Sequence, residues 1–271
     1  MEVVFYNGDL LAKDDVSISS SSRAFNYGDG FFETIKIINS IPFNFSLHFQ
    51  RIQLSLSVLK MDNNYTLAFF EDKISYLIEV NKIINGSVKI HISRGGKGRY
   101  LPRSNHLDLL ISFIKGSEYI RNDAISLCFY QQEYKGVGSL SNIKSSNALV
   151  SVLASIYAYE NNFDYAVLLN HLGNIVEAAH ANIFIVKNQK IYTPPLTDGC
   201  VDGTMRRWVI TKLDVSEKSI LKDEILDADE VFVTNATSGV VSVKIIENNS
   251  FKSFSIANFI QQKLINSSLD P

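Results

Sequence analysis

Apolar residues recur at every second position in several short runs of this chain and at helical spacing in others. The two patterns alternate, and that alternation restricts the chain to a mixed α and β fold. Glu2 to Tyr6 is rich in Val and aromatic residues; Asn7-Gly8-Asp9 predicts a hairpin turn and Leu10 to Lys13 the return strand. Phe31 to Ile38 predicts a strand, Asn39-Ser40 a turn and Ile41 to Phe45 a further strand. Leu47, Ile52, Leu54, Leu56 and Leu59 then fall in a helical stretch that carries Arg51, and Ala68 to Ile84 repeats the helical spacing. Val88 to Ser93 and Leu107 to Ile114 return to strand patterns.

The series is interrupted at Lys115 to Asp123, a polar stretch of mixed charge that predicts a linker. At ~150 residues per domain, 271 residues allow between one and two domains. The interruption favours two: a smaller N-terminal α/β domain over residues 1–114 and a C-terminal domain over 124–271. In the second part, Ala124 to Tyr130, Tyr165 to Leu169, Ile183 to Val186 and Glu230 to Thr234 predict strands. Leu149, Val152, Leu153 and Ile156 follow i, i+3, i+4, i+7 and predict a helix from Ser146 to Glu160; Met205 to Leu213 predicts another.

Charge and composition remove several classes of function. With 26 basic and 28 acidic residues, the chain lacks the basic excess of a nucleic-acid binder or of a polybasic membrane-surface protein. The absence of any run of 18 apolar residues predicts no membrane span. The N-terminus reads as no secretory signal, and two cysteines, Cys128 and Cys200, make no disulfide framework. A cytoplasmic globular protein is the expectation. The five histidines are scattered and no C-x-x-C or H-E-x-x-H occurs, so no metal site is expected. Phosphate-loop, dinucleotide and nucleophile-elbow motifs are also missing.

Four local features remain. Arg23 to Glu33 (RAFNYGDGFFE) is a Gly-containing loop running into a strand. Lys144 lies in Ser-Asn-Ile-Lys-Ser-Ser-Asn, just before a helix. Gly173 to Glu177 is followed by Asn182-Ile183-Phe184, and Gly203-Thr204-Met205-Arg206 opens a helix. Taken singly, each has an ordinary explanation: a hairpin turn, a surface lysine, a strand end, a plain helix cap. A Gly-Thr helix start can also bind phosphate through its backbone N–H groups.

Taken together, in this order, the features resemble the class IV aminotransferase family of fold-type IV pyridoxal-phosphate enzymes. The R-A-x-x-Y-G-D-G-x-F-E block is matched by Arg23 to Glu33, and a helix arginine by Arg51. The K-x-x-N context is matched by Lys144 and Asn147, and G-x-x-x-E by Gly173 and Glu177. The final T-N-x-x-x-G-x-x-x-V block is matched by Thr234, Asn235, Gly239 and Val243. The resemblance spans nearly the whole chain. It implies the two-domain α+β / α/β fold of D-amino-acid aminotransferase-like proteins, a homodimer, and pyridoxal 5'-phosphate as cofactor.

The resemblance also implies roles. Lys144, carried by the C-terminal domain, would hold the cofactor as a Schiff base and then move the substrate Cα proton. Glu177 would face the pyridine nitrogen and keep it protonated. Arg51 would bind the phosphate with its planar fork. Gly203, Thr204 and Met205 would add donors at the helix start, with Ala236 and Thr237 completing the phosphate cup; the family usually has threonine where Met205 stands. Arg99, in Arg94-Gly95-Gly96-Lys97-Gly98-Arg99-Tyr100, would bind a substrate carboxylate, and Tyr27 and Phe32 would line the pocket.

Three activities compete. The compact length, the Gly-Asp-Gly-Phe-Phe-Glu block and a loop similar to R-G-x-G-G-R-G-Y favour 4-amino-4-deoxychorismate lyase, which makes 4-aminobenzoate and pyruvate. A transaminase of branched-chain or D-amino acids is the alternative. The Y-x-R-P strand of the first kind is missing, and Tyr100-Leu101 stand where the second kind has R-x-H. A non-catalytic protein on the same fold is the third reading, and retention of Lys144, Glu177 and Arg51 together opposes it.

Overall fold

The computed structural model describes residues 2–120 and 123–269. The described residues divide into two compact units: 2–118 with 143–147, and 119–120 and 123–142 with 148–269. The expected linker includes Arg121 and Asn122, which lie outside the described residues.

The first unit contains, in chain order, β1 (Val3–Tyr6), β2 (Asp9–Ala12), α1 (Arg23–Tyr27), β3 (Gly30–Ile38), β4 (Ile41–Pro42), α2 (Phe45–Leu59), α3 (Leu67–Asn81), β5 (Gly86–Arg94) and β6 (Leu107–Lys115). Its six-stranded sheet has the order β2-β1-β6-β5-β3-β4, antiparallel throughout. Alternation sends Phe31, Ile35 and Ile37 of β3 and Val88, Ile90 and Ile92 of β5 to one face, where they pack with Ile52 and Leu56 of α2 and Phe70, Ile74 and Leu77 of α3.

Three local expectations are corrected here. The strand expected over Ile41 to Phe45 stops at Pro42, because Asn44 turns into the left-handed region (φ 54°) and the chain enters α2 at Phe45. The helix expected to reach Ile84 ends at Asn81, where Lys82 adopts φ 53°; Ile84 lies beyond it and is exposed. The opening block is not a plain loop, since Arg23–Tyr27 forms a helical turn closed by Gly28 at φ 60°.

The second unit contains β7 (Ile125–Lys135), α4 (Ser139–Asn142), α5 (Leu149–Glu160), β8 (Tyr165–Asn170), β9 (Ile175–Ala178), β10 (Asn182–Lys187), β11 (Lys190–Thr193), α6 (Thr204–Lys212), β12 (Val215–Glu217), α7 (Lys222–Leu226), β13 (Glu230–Asn235), β14 (Gly239–Ile246), β15 (Asn249–Ser250) and α8 (Ser255–Leu269). Its nine-stranded sheet has the order β12-β11-β10-β13-β14-β7-β8-β9, with β15 beside β14. Buried Glu230 accepts from the N–H groups of Ile256 and Ala257 (3.2 and 2.6 Å), so a strand carboxylate satisfies the start of α8.

The helix expected from Ser146 begins at Leu149. The apolar stripe that predicted it faces outward: Leu149, Val152, Leu153 and Ile156 are all exposed, Leu149 at 75%. The small residues Ala154 and Ala158 pack against Cys128 and Tyr130 of β7 and Leu168 of β8. Only small side chains let the helix approach the sheet this closely.

Candidate active site

In the first unit the site starts from the opening block. Gly28 places its Cα where an added Cβ would lie 2.8 Å from Asn147 Oδ1. Asn147 Nδ2 donates to the Gly28 carbonyl at 3.0 Å. The chain 143–147 is thereby laced to β3: Phe32 N–H donates to the Lys144 carbonyl and Ser146 N–H to the Gly30 carbonyl, each at 3.0 Å. These backbone bonds explain why Lys144 groups with the first unit, although it falls in the sequence range expected for the C-terminal domain.

Lys144 Nζ lies 4.7 Å from the centroid of Phe32. Strand alternation brings two further side chains to that ring. Lys89 Nζ is 5.0 Å from its centroid, and His91, opposite Phe32 in the β3–β5 ladder, stacks on it at 5.7 Å and 29°. Burial, with the Lys89 charge adding to it, pushes the His91 imidazole down to about 4, so it is neutral at physiological pH.

The next residue, Glu33, points to the opposite face and is fully buried. Arg51 donates to it twice, Nε to Oε1 at 2.7 Å and Nη2 to Oε2 at 2.6 Å. His48 Nδ1 lies 2.6 Å from Oε2. His48 and Arg51 are three residues apart on α2 and so share a face. Burial raises the Glu33 carboxyl, but Arg51 and then His48 outweigh it and hold the group at about 2. Burial lowers His48, opposed by Glu33 and assisted by the Arg51 and Lys144 charges.

Arg23 and Arg94 converge on Asp29, at 2.7 and 3.0 Å. Arg23 also donates to the carbonyls of Gly98 and Arg99, at 3.1 and 2.5 Å. The loop after β5 is thus fastened to the opening block through its backbone. Arg99 itself is exposed. Tyr27 packs on Tyr100 at 5.7 Å and lies under Arg23, so it joins the loop and not the Phe32 cluster.

In the second unit the loop 194–203 is held by side-chain amides. Asn142 Nδ2 donates to the carbonyls of Leu196 and Cys200 (2.9 and 2.8 Å), Asn170 Nδ2 to Asp198 (3.1 Å) and Asn182 Nδ2 to Val201 (2.8 Å). Glu177, buried on β9, accepts from Val201 N–H at 2.8 Å and from Lys135 Nζ. The same loop delivers Gly203, the N-cap of α6. A Cβ there would lie 1.9 Å from Asn182 Oδ1. Gly203→Ala is therefore expected to cost about 1–3 kcal/mol of stability, checked by melting curves of the two proteins.

Thr204 and Met205 are buried at the first turn of α6. The first N–H groups of a helix have no acceptor within it and suit an anion. Thr234, opposite Asn182 across β10 and β13, has a buried hydroxyl with no hydrogen-bond partner among the described residues. In the following turn Asn235 Oδ1 accepts from Thr237 N–H, Thr237 Oγ1 and Ser238 N–H at 3.0, 3.0 and 2.8 Å. The Ala236 carbonyl accepts from Tyr119 Oη at 2.6 Å. Both Thr237 donors are thus turned onto Asn235.

Sequence reasoning gave no role to Lys89, His91, Glu33, His48 or Lys135. Glu33 lies inside the opening motif, and the His48/Arg51 spacing could have paired with it. The others depend on strand register.

The amino-transferase class IV family model matches residues 30–246, and the chain belongs to that family. It is a pyridoxal-phosphate enzyme of fold-type IV, a transaminase or a lyase. A D-alanine aminotransferase of Bacillus licheniformis is 27% identical over 259 residues, 92% of this chain and 90% of that one. The branched-chain aminotransferase of Thermoproteus uzoniensis superposes with a TM-score of 0.91 at 23% identity, over 99% of this chain and 95% of its own. A Legionella pneumophila structure, provisionally named 4-amino-4-deoxychorismate lyase, has a TM-score of 0.87 and 26% identity, over 94% and 97%.

Each unit by itself carries side chains of the kinds the cofactor needs: in the first, an amine beside an aromatic ring; in the second, a buried carboxylate, a helix start that excludes a Cβ and a buried hydroxyl with no partner among the described residues. Among the described residues no group of His, Cys, Asp and Glu could hold a metal ion, and no helix is long and apolar enough to cross a membrane.

Proposed function

We propose that this enzyme is a 4-amino-4-deoxychorismate lyase, releasing 4-aminobenzoate and pyruvate. The supporting observation is the pair of ammonium groups, Lys89 and Lys144, within 5.0 Å of the one Phe32 ring. The lyase substrate has two carboxylates. Lys144 is committed to the cofactor and to proton transfer, so Lys89 is left as a second cation beside the ring for a carboxylate. Neutral His91 next to it offers a hydrogen bond without adding charge.

Pyridoxal phosphate, when bound, supplies an electron sink for charge developing at the substrate Cα. In the first unit, Lys144 would hold the cofactor and carry the Cα proton, with Phe32 as the apolar wall beside its amine. Arg51 takes phosphate oxygens with a guanidinium plane that Glu33 fixes. Arg99 approaches a substrate carboxylate from the loop that Arg23 fastens, beside Tyr27. In the second unit, Glu177 would keep the cofactor's pyridine nitrogen protonated, and Gly203, Thr204 and Met205 would offer backbone donors to its phosphate. Ala236 and Thr237 would complete that cup. A homodimer in the cytoplasm is part of this reading.

A D-amino-acid transaminase is the second reading, favoured by curated relatives named D-alanine aminotransferase at 26–28% identity. One assay separates the two. The lyase produces pyruvate from aminodeoxychorismate with no 2-oxo acid present. Turnover confined to D-alanine plus 2-oxoglutarate would exclude it.

A further inference from the structure

Lys135 Nζ contacts Glu177 Oε1 directly, and the two side chains are 16% and 5% exposed. They are 42 residues apart in sequence. Sheet register brings them together: Lys135 stands opposite Asn170 in β7–β8, and Glu177 opposite Leu168 in β8–β9. The β7–β8 ladder is irregular at this place, running from Tyr130↔Leu168 directly to Lys135↔Asn170. Extra residues on one strand break the ladder and re-aim a side chain. A regular ladder would have left Glu177 without this cation. The other Glu177 oxygen accepts from Val201 N–H, a neutral donor that does not titrate.

We infer that Lys135 is a positioning residue: it fixes the Glu177 carboxylate and opposes its charge, setting how firmly Glu177 holds a proton on the cofactor's pyridine nitrogen. The inference rests on the reading of Glu177 given above. A buried carboxylate needs a charged or hydrogen-bonded partner to stay ionised. A carboxylate with no cation at its back would bind the pyridine proton more tightly than one whose charge is shared. Lys135 therefore moderates the electron-withdrawing power of the ring. It touches neither the cofactor's reacting atoms nor substrate in this role.

The test uses apo-protein reloaded with pyridoxal phosphate, without substrate. Dissociation constants and the pH midpoint of the bound cofactor's visible band are measured for wild type, Lys135→Met, Lys135→Arg and Glu177→Gln. Loss of a positive charge raises the pKa of groups nearby. Lys135→Met is expected to weaken cofactor binding by at least about tenfold and to move the midpoint to higher pH, while Lys135→Arg restores both. A wild-type midpoint in Lys135→Met overturns the inference whether or not affinity falls, because a purely structural lysine would change affinity and leave the midpoint. If Lys135→Met does not fold, Lys135→Gln keeps a donor, loses the charge and decides on the same midpoint. An unchanged midpoint in Glu177→Gln sinks the reading of Glu177 itself; a shift there with none in Lys135→Met sinks only the role of Lys135.

Discussion

Lys144→Ala loses more than about a thousandfold in turnover and keeps its fold. Both halves follow from how the residue is held. Its structural work is done by the backbone: the carbonyl accepts from Phe32 N–H, and the flanking Ser145 bridges Phe31. Alanine retains these bonds. The side chain contributes an ammonium beside Phe32, and truncating a half-buried lysine leaves no cavity of consequence. The measurements are turnover, the melting temperature and borohydride labelling of the reloaded protein. Reduction should fix the cofactor on Lys144 in wild type and on no residue of the variant. An unfolded variant would mean that the lysine is structural, and a variant active at the wild-type rate would remove it from the chemistry.

Arg51→Ala has the largest expected effect on stability, about 3–5 kcal/mol, because it leaves the fully buried Glu33 carboxylate without its main partner. The double variant Glu33→Met/Arg51→Leu should recover much of that loss, since replacing both charges removes the need for either. Denaturant unfolding of the apo-protein measures both; equal losses in the single and double variants would show that packing, not the ion pair, governs the site.

The same network sets an acid limit. Glu33 is held at about 2 against an ordinary 4.5, so its stabilisation is complete above about 4.5 and is lost as pH falls through about 2. His48 is buried with its pKa lowered from 6.5, so the unfolded chain takes up a proton first and stability begins to fall below that pH. Acid unfolding should therefore begin with His48 and steepen with Glu33. In a His48→Gln variant the earlier phase should vanish.

Motif residues were legible in the sequence because backbone geometry imposes them locally. Gly28 and Gly203 sit where neighbouring asparagine amides occupy the space of a Cβ. The first unit was largely readable because its main strands are long, antiparallel and alternate clearly between apolar and polar positions. The second was less so. α8 carries apolar residues on a polar background, and β14, a nearly continuous apolar run, lacks the alternation that marks a strand. The apolar spacing predicts α5 but does not give the face it buries, since two alanines, a weak hydrophobic signal, make its contact with the sheet. Lys135 could not be matched to Glu177 from the sequence, because a ladder irregularity between Tyr130 and Lys135 decides which side chain arrives there.

The loop 194–203 has one more property. Asn142, Asn170 and Asn182 hold it through amides, which neither gain nor lose charge between acid and alkali. Its grip on the start of α6 is consequently indifferent to pH. The start of α6 is thus held in place by three neutral side chains, so a change of pH leaves its position where the amides set it.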